Sequence, residues 1–99
     1  MLKAPVQRPD DVAAAYAAEG SGDLELRRLT DHEGDSDLIL IEGSARSLRL
    51  LSDLLAAVAN SRALDASFQM GPHHAGSFHF SESSEFGLYI NRRGGIEPD

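Results

Sequence analysis

An apolar strand that runs through a Gly-Ser break into one long amphipathic helix constrains this chain more than any other stretch. Leu38-Ile39-Leu40-Ile41 is apolar at every position, Glu42-Gly43-Ser44 interrupts it, and a Leu-rich segment continues to Asn60. Continuous apolarity is the mark of a strand covered on both faces. Ser44 suits an N-cap, where its hydroxyl accepts from N–H groups two or three residues on. At 100° per residue, Leu48, Leu51, Leu55 and Val58 share one side, and Leu50 and Leu54 widen the apolar arc to about half the circumference. A helix facing one sheet needs a stripe of only about 100°. Arg46, Arg49, Ser52, Asp53 and Asn60 mark the wet side. The unit thus carries more apolar surface than one sheet and one helix bury. Ile39, Ile41, Leu50 and Leu54 are therefore candidate contacts with an N-terminal segment or a second copy of the chain.

The rest of the sequence supplies material to lay beside that unit. Pro9-Asp10-Asp11 reads as a helix start, since acidic groups favour the free N–H groups of a first turn. Val12, Ala13 and Tyr16 give the segment a short apolar face, and Gly20-Ser21-Gly22 stops it. Asp23-Leu24-Glu25-Leu26-Arg27 alternates as a strand with one wet face. After Asp65, the segment 66–70 is a short strand candidate. Ser77-Phe78-His79-Phe80 and Phe86-Gly87-Leu88-Tyr89-Ile90 read as a hairpin joined by a polar turn. If Phe80 opposes Phe86, Phe78 opposes Leu88, those four face the core, and His79 and Tyr89 share the other face. A helix of about 16 residues spans about 24 Å, which matches strands of about five to seven residues. The expectation is an α+β domain: an antiparallel or mixed sheet of about four strands in β-β-α-β-β order. The main helix lies on one face, with a short helix leading. It is a single domain over residues 1–99, with loose tails at 1–9 and 93–99.

Charge narrows the partners. Nine Lys+Arg stand against sixteen Asp+Glu, a formal charge of −7. Such a surface repels nucleic acid and anionic lipid and attracts basic proteins. No apolar run approaches the roughly 18 residues of a membrane span, and no hydrophobic stretch precedes the Ala-Tyr-Ala-Ala tract in the manner of a signal peptide. The absence of cysteine removes disulfides, thiolate catalysis and Cys-based zinc sites, and fits a cytoplasmic setting.

Three stretches invite chemistry. His73, His74 and His79, with Glu82 and Glu85 nearby, are the densest cluster of metal-capable groups, but adjacent histidines point apart in extended backbone and the spacing matches no zinc motif. The acidic run Asp31, Glu33, Asp35, Asp37 followed by Glu42 tracks a calcium-loop register superficially. Ser36 sits where the sharp turn wants glycine, and strands rather than helices flank it. Ser44 at a strand-turn-helix bend resembles a nucleophile elbow without its second glycine, and capping accounts for it. Arg46 and Arg49 either hold an anion at the helix start or pair with Glu42 and Asp53. No phosphate loop, dinucleotide fingerprint or acid–base constellation is present, so no enzyme activity and no cofactor are expected.

The strand ending in Ile41-Glu42-Gly43-Ser44, the Leu-rich helix, and the return through His73-His74 and Phe78-His79-Phe80 to Leu88-Tyr89-Ile90 give residues 38–91 a family likeness. That layout resembles the small predicted immunity proteins of bacterial polymorphic toxin systems, nearest to the family called immunity protein thirty-two. The resemblance implies an α+β fold, no catalysis, and neutralisation of a cognate toxin by direct binding. It supplies no motif from which functional residues carry over. In that setting the acidic groups Asp31, Glu33, Asp35, Asp37, Glu82 and Glu85 form a negative rim for a basic toxin, and His79 with Tyr89 a less charged centre. Two other readings stand beside it: a structural homodimer, and a metal protein using His73, His74 and His79.

Overall fold

The computed structural model describes residues 8–29, 38–62 and 66–94. Their elements run α1 (Pro9–Ala18), β1 (Glu25–Arg28), β2 (Ile39–Glu42), α2 (Ala45–Asn60), β3 (Ser67–Met70), a 3-10 turn (Ser77–His79) and β4 (Leu88–Asn91). This is a small α+β fold with two helices and two antiparallel two-stranded sheets, β1 with β2 and β3 with β4. The expected single sheet of about four strands does not form among the described residues. An isolated parallel bridge pairs Leu24, just before β1, with Phe80.

Irregular chain occupies the edge of β1 that faces away from β2. Leu24 N–H donates to His79 O at 3.1 Å, Ser81 N–H to Leu24 O at 2.8 Å, and the Glu85 and Phe86 N–H groups to Leu26 O at 2.9 and 3.0 Å. The buried Ser84 Oγ accepts from Leu26 N–H at 2.9 Å, and the Glu85 carboxylate accepts from Arg28 N–H at 3.2 Å. Two side chains thus satisfy backbone groups on that edge, and the Leu26 N–H among them is buried, where a partner is required.

The expected hairpin between residues 77–80 and 86–90 is also replaced. Gly76, at φ 80°, turns the chain into the 3-10 segment. β4 pairs with β3, placing Ile90 opposite Phe68 and Leu88 opposite Met70. Gly87 permits that closure, because a Cβ there would lie 2.4 Å from Met70 O and 2.5 Å from Gly71 Cα. The Phe80–Phe86 and Phe78–Leu88 pairings therefore do not occur. Phe80 enters the core while Phe78 and Phe86 stay exposed.

Leu50, Leu54 and Ala57 of α2 meet Val12 of α1, Leu24 and Leu26 beside and in β1, Met70 of β3 and Phe80 in one cluster, with Ala13, Tyr16, Phe68, Leu88 and Ile90 against it. The buried face of α2 is Ser47, Leu50, Leu54, Ala57 and Val58. Its mean direction lies about 90° round the helix from the Leu48, Leu51, Leu55, Val58 side read from the sequence. Leu48 and Leu55 are left 42 % and 49 % exposed. Leu50 and Leu54, expected as oligomer contacts, are fully buried and unavailable to another chain.

Polar anchors fix that rotation. Ser44 caps α2, its Oγ accepting from Ser47 N–H at 3.2 Å, and both serines converge on Asp23. The Asp23 carboxylate accepts from Ser47 Oγ at 2.6 Å, Ser44 N–H at 3.0 Å and Ser44 Oγ at 3.0 Å. At the other helix end Arg92 donates to Val58 O at 3.1 Å and Ala59 O at 3.2 Å, meeting carbonyls that a helix terminus leaves free. Arg46 does the same for α1, reaching Tyr16 O and, at 2.8 Å, Gly20 O, with its guanidinium 5.7 Å from the Tyr16 ring centroid. Tyr16 OH closes the α1–α2 contact by donating to Asp53 at 2.7 Å. Arg46 and Asp53 are therefore engaged with α1, and among the described residues no ion pair joins Asp53 to an arginine of α2.

Candidate protein-binding surface

With the core accounted for, eight large apolar side chains remain exposed among the described residues. They fall on three places: β2 and its approach (Leu38, Ile39, Ile41), one flank of α2 (Leu48, Leu55), and the region of the second sheet and its lead-in (Phe78, Phe86, Tyr89). Strand alternation explains the last of these. Phe68, Met70, Leu88 and Ile90 turn towards the core cluster, so the neighbours Gln69 and Tyr89, opposite each other in register, turn to solvent.

Tyr89 is 65 % exposed. It stands between two shallow clefts that share it and Gln69. One, of about 310 Å³, is lined by Gln69, Met70, His74, Gly87, Leu88 and Tyr89. The other, of about 370 Å³, is lined by Asp10, Ser67, Phe68, Gln69 and Tyr89. An aromatic ridge between two recesses offers apolar area with a phenol at its tip, the form that protein partners use as an anchor.

His79 does not join Tyr89. It is buried, hydrogen-bonded to the Ala13 backbone, with Nδ1 lacking a partner among the described residues. Burial holds its pKa below the ordinary histidine value, the nearby Arg46 guanidinium pushes the same way, and the Ala13 bond opposes them. A neutral core imidazole tying the 3-10 turn to α1 replaces the expected surface contact. His73 and His74 are exposed, and no group of three or more His, Asp or Glu side chains converges as a metal site among the described residues.

Of the acidic rim, Glu82 and Glu85 are exposed, and Glu85 also closes the edge of β1. Asp31, Glu33, Asp35 and Asp37 lie outside the described residues. Ser44 caps α2, and its hydroxyl donates to Asp23. The Asp23 pKa is drawn below the ordinary carboxylate value, first by the Ser47 hydroxyl and then by the Ser44 N–H and hydroxyl. That clamp, and the arginine caps, were not found by sequence reasoning, because residues 20 or more positions apart carry no local signature of their meeting.

No helix among the described residues is long and apolar enough to cross a membrane. Comparison with protein-family models, curated proteins and solved structures gives no match.

Proposed function

We propose that the chain is a non-catalytic protein-binding module of the immunity type, which neutralises a cognate basic toxin in the cytoplasm by direct contact. The observation that supports this reading most is Tyr89, 65 % exposed on a strand and flanked by two clefts. Rigid aromatic anchors dominate binding energy at protein interfaces and lose little conformational entropy on docking. Glu82 and Glu85, together with Asp31, Glu33, Asp35 and Asp37 of the sequence, contribute to a formal charge of −7. Charge of one sign speeds encounter with a basic partner and sets specificity. The reading assigns no catalytic residue and no cofactor, and nucleic acid and membrane are not its partners.

Co-expression with the product of an adjacent toxin-like reading frame tests it. The chain is expected to restore growth and to form a complex whose association slows as salt rises. Tyr89→Ala is expected to weaken that complex by about 2 kcal/mol, roughly thirtyfold. Charge reversal at Asp35 and Asp37 is expected to slow capture and flatten its salt dependence. A toxin equally lethal with and without the chain, or Tyr89→Ala binding at full affinity, overturns the reading.

A further inference from the structure

The open edge of β2 points to a second copy of this chain. Leu29 N–H donates to Leu38 O at 3.0 Å, and these two residues continue the register that sets Arg28 opposite Ile39. Antiparallel pairs alternate between hydrogen-bonded and non-bonded positions. Leu38, Leu40 and Glu42 therefore turn their N–H and C=O groups to β1, while Ile39 and Ile41 turn theirs outward. No group among the described residues meets those four outward donors and acceptors. The opposite edge of the same sheet is closed by Ser84, Glu85 and the backbone of 79–86.

Natural edges are usually defended by lysine, proline, a bulge or a covering loop. β2 carries no Lys or Pro, and its outward positions are two β-branched isoleucines, 54 % and 50 % exposed. The second sheet differs. Arg92 N–H donates to Ala66 O, so its outward positions are Ser67, Gln69, Tyr89 and Asn91, three of them polar and none aliphatic.

We propose that two copies pair antiparallel through β2 about Leu40, with Ile39 of each copy opposite Ile41 of the other. This joins the two β1–β2 pairs into one four-stranded sheet in the order β1-β2-β2-β1. Four backbone hydrogen bonds close between the isoleucines, and the Ile39 and Ile41 side chains of both copies meet on one face. Glu42 then faces Leu38 of the second copy, so no like charges are opposed. Moving the centre to Ile41 sets Ile39 against Gly43, and only the Leu40 centre sets isoleucine against isoleucine in both bonded pairs. The contact is self-complementary, as a two-fold interface requires. It stands apart from the toxin reading, and salt separates the two. Each copy carries a formal charge of −7, so screening strengthens self-association, whereas capture of a basic partner weakens.

Sedimentation of the untagged full chain over a wide concentration range, at low and high salt, reads the monomer–dimer equilibrium. The mass is expected to rise from one chain to two, at lower concentration in high salt. Ile41→Lys is expected to weaken dimerisation about tenfold or more, and Ile39→Pro to do the same while keeping the fold, because its N–H faces away from β1. The chain has no cysteine, which makes a register test clean. At the centre of the pairing the two Leu40 Cα atoms stand about 4.5 Å apart, within disulfide range. Leu40→Cys is expected to cross-link under oxidised glutathione much faster than Ala59→Cys on the exposed side of α2. Monomer mass at every concentration and salt, or equal cross-linking of the two cysteine variants, overturns the proposal.

Discussion

The rotation of α2 decides which flank of the helix is left exposed, and four alanine substitutions measure it. Leu50 and Leu54 are fully buried among Val12, Leu24, Leu26, Met70 and Phe80. Truncating a leucine in such a place removes its transfer free energy and leaves a cavity, about 3 kcal/mol in all. Leu48 and Leu55 are 42 % and 49 % exposed. They retain roughly half of a leucine's burial, so Leu→Ala there loses under about 1 kcal/mol, and alanine's better helix propensity offsets part of that. Unfolding entropy of about 2.1 cal/mol/K per residue, over 99 residues, converts 1 kcal/mol into about 5 °C. Leu50→Ala and Leu54→Ala should therefore lower Tm by about 15 °C, and Leu48→Ala and Leu55→Ala by less than about 5 °C. Urea unfolding of the same set, with unchanged m-values, guards against a change in the unfolded state. Leu48→Ala or Leu55→Ala as damaging as Leu54→Ala would refute the buried face described here and restore the one read from periodicity.

Two further substitutions probe the joints. Gly87→Ala puts a methyl against Met70 O and Gly71 Cα, both backbone. The β3–β4 closure must part, at about 1–3 kcal/mol, read as a lower urea midpoint and faster amide exchange at Leu88; wild-type values would sink the argument. His79 is held neutral by burial and then by Arg46, so its folded pKa lies below its unfolded value. As pH falls through about 6.5 the unfolded chain takes up the proton first, and stability declines until the folded pKa is passed. His79→Phe should flatten that limb of the stability–pH curve. An unchanged slope would show that other groups produce it.

How much of this was legible in the sequence depends on the range of the interaction that decides each element. The Ser44 cap, the Pro9 start of α1 and the alternation that buries Leu24 and Leu26 are local, and periodicity or capping chemistry finds them. α2 was read correctly as a helix and wrongly in rotation. Its leucines occupy both flanks, so the apolar arc alone leaves the direction open. The choice falls to Ser47, a polar residue drawn inside because Asp23 lies 24 positions upstream to receive it. The hairpin between 77–80 and 86–90 fails for a related reason. Residues 67–70 offer β4 an equally apolar partner with a Gly87 closure, and Gly76 bends the competing segment into a 3-10 turn. Once that exchange is made, His79 goes inward and Tyr89 outward, and the candidate surface loses one expected member while keeping the other.

The same exchange bears on β2. A strand apolar at every position was expected beneath cover on both faces, yet Ile39 and Ile41 remain half exposed. Among the described residues the groups that cover a sheet edge are used elsewhere: Ser84 and Glu85 seal β1. α1 is committed to the flank of α2 that carries Arg46 and Asp53. That flank lies about 150° round the helix from Leu51, which borders the exposed Leu48 and Leu55. The apolar excess recognised in the strand–helix unit is thus real but displaced, from the Leu50 and Leu54 side to β2 and the opposite flank of α2. An edge with outward isoleucines, in a chain that closes its other edge with side chains, is where a second molecule gains most from adding a strand.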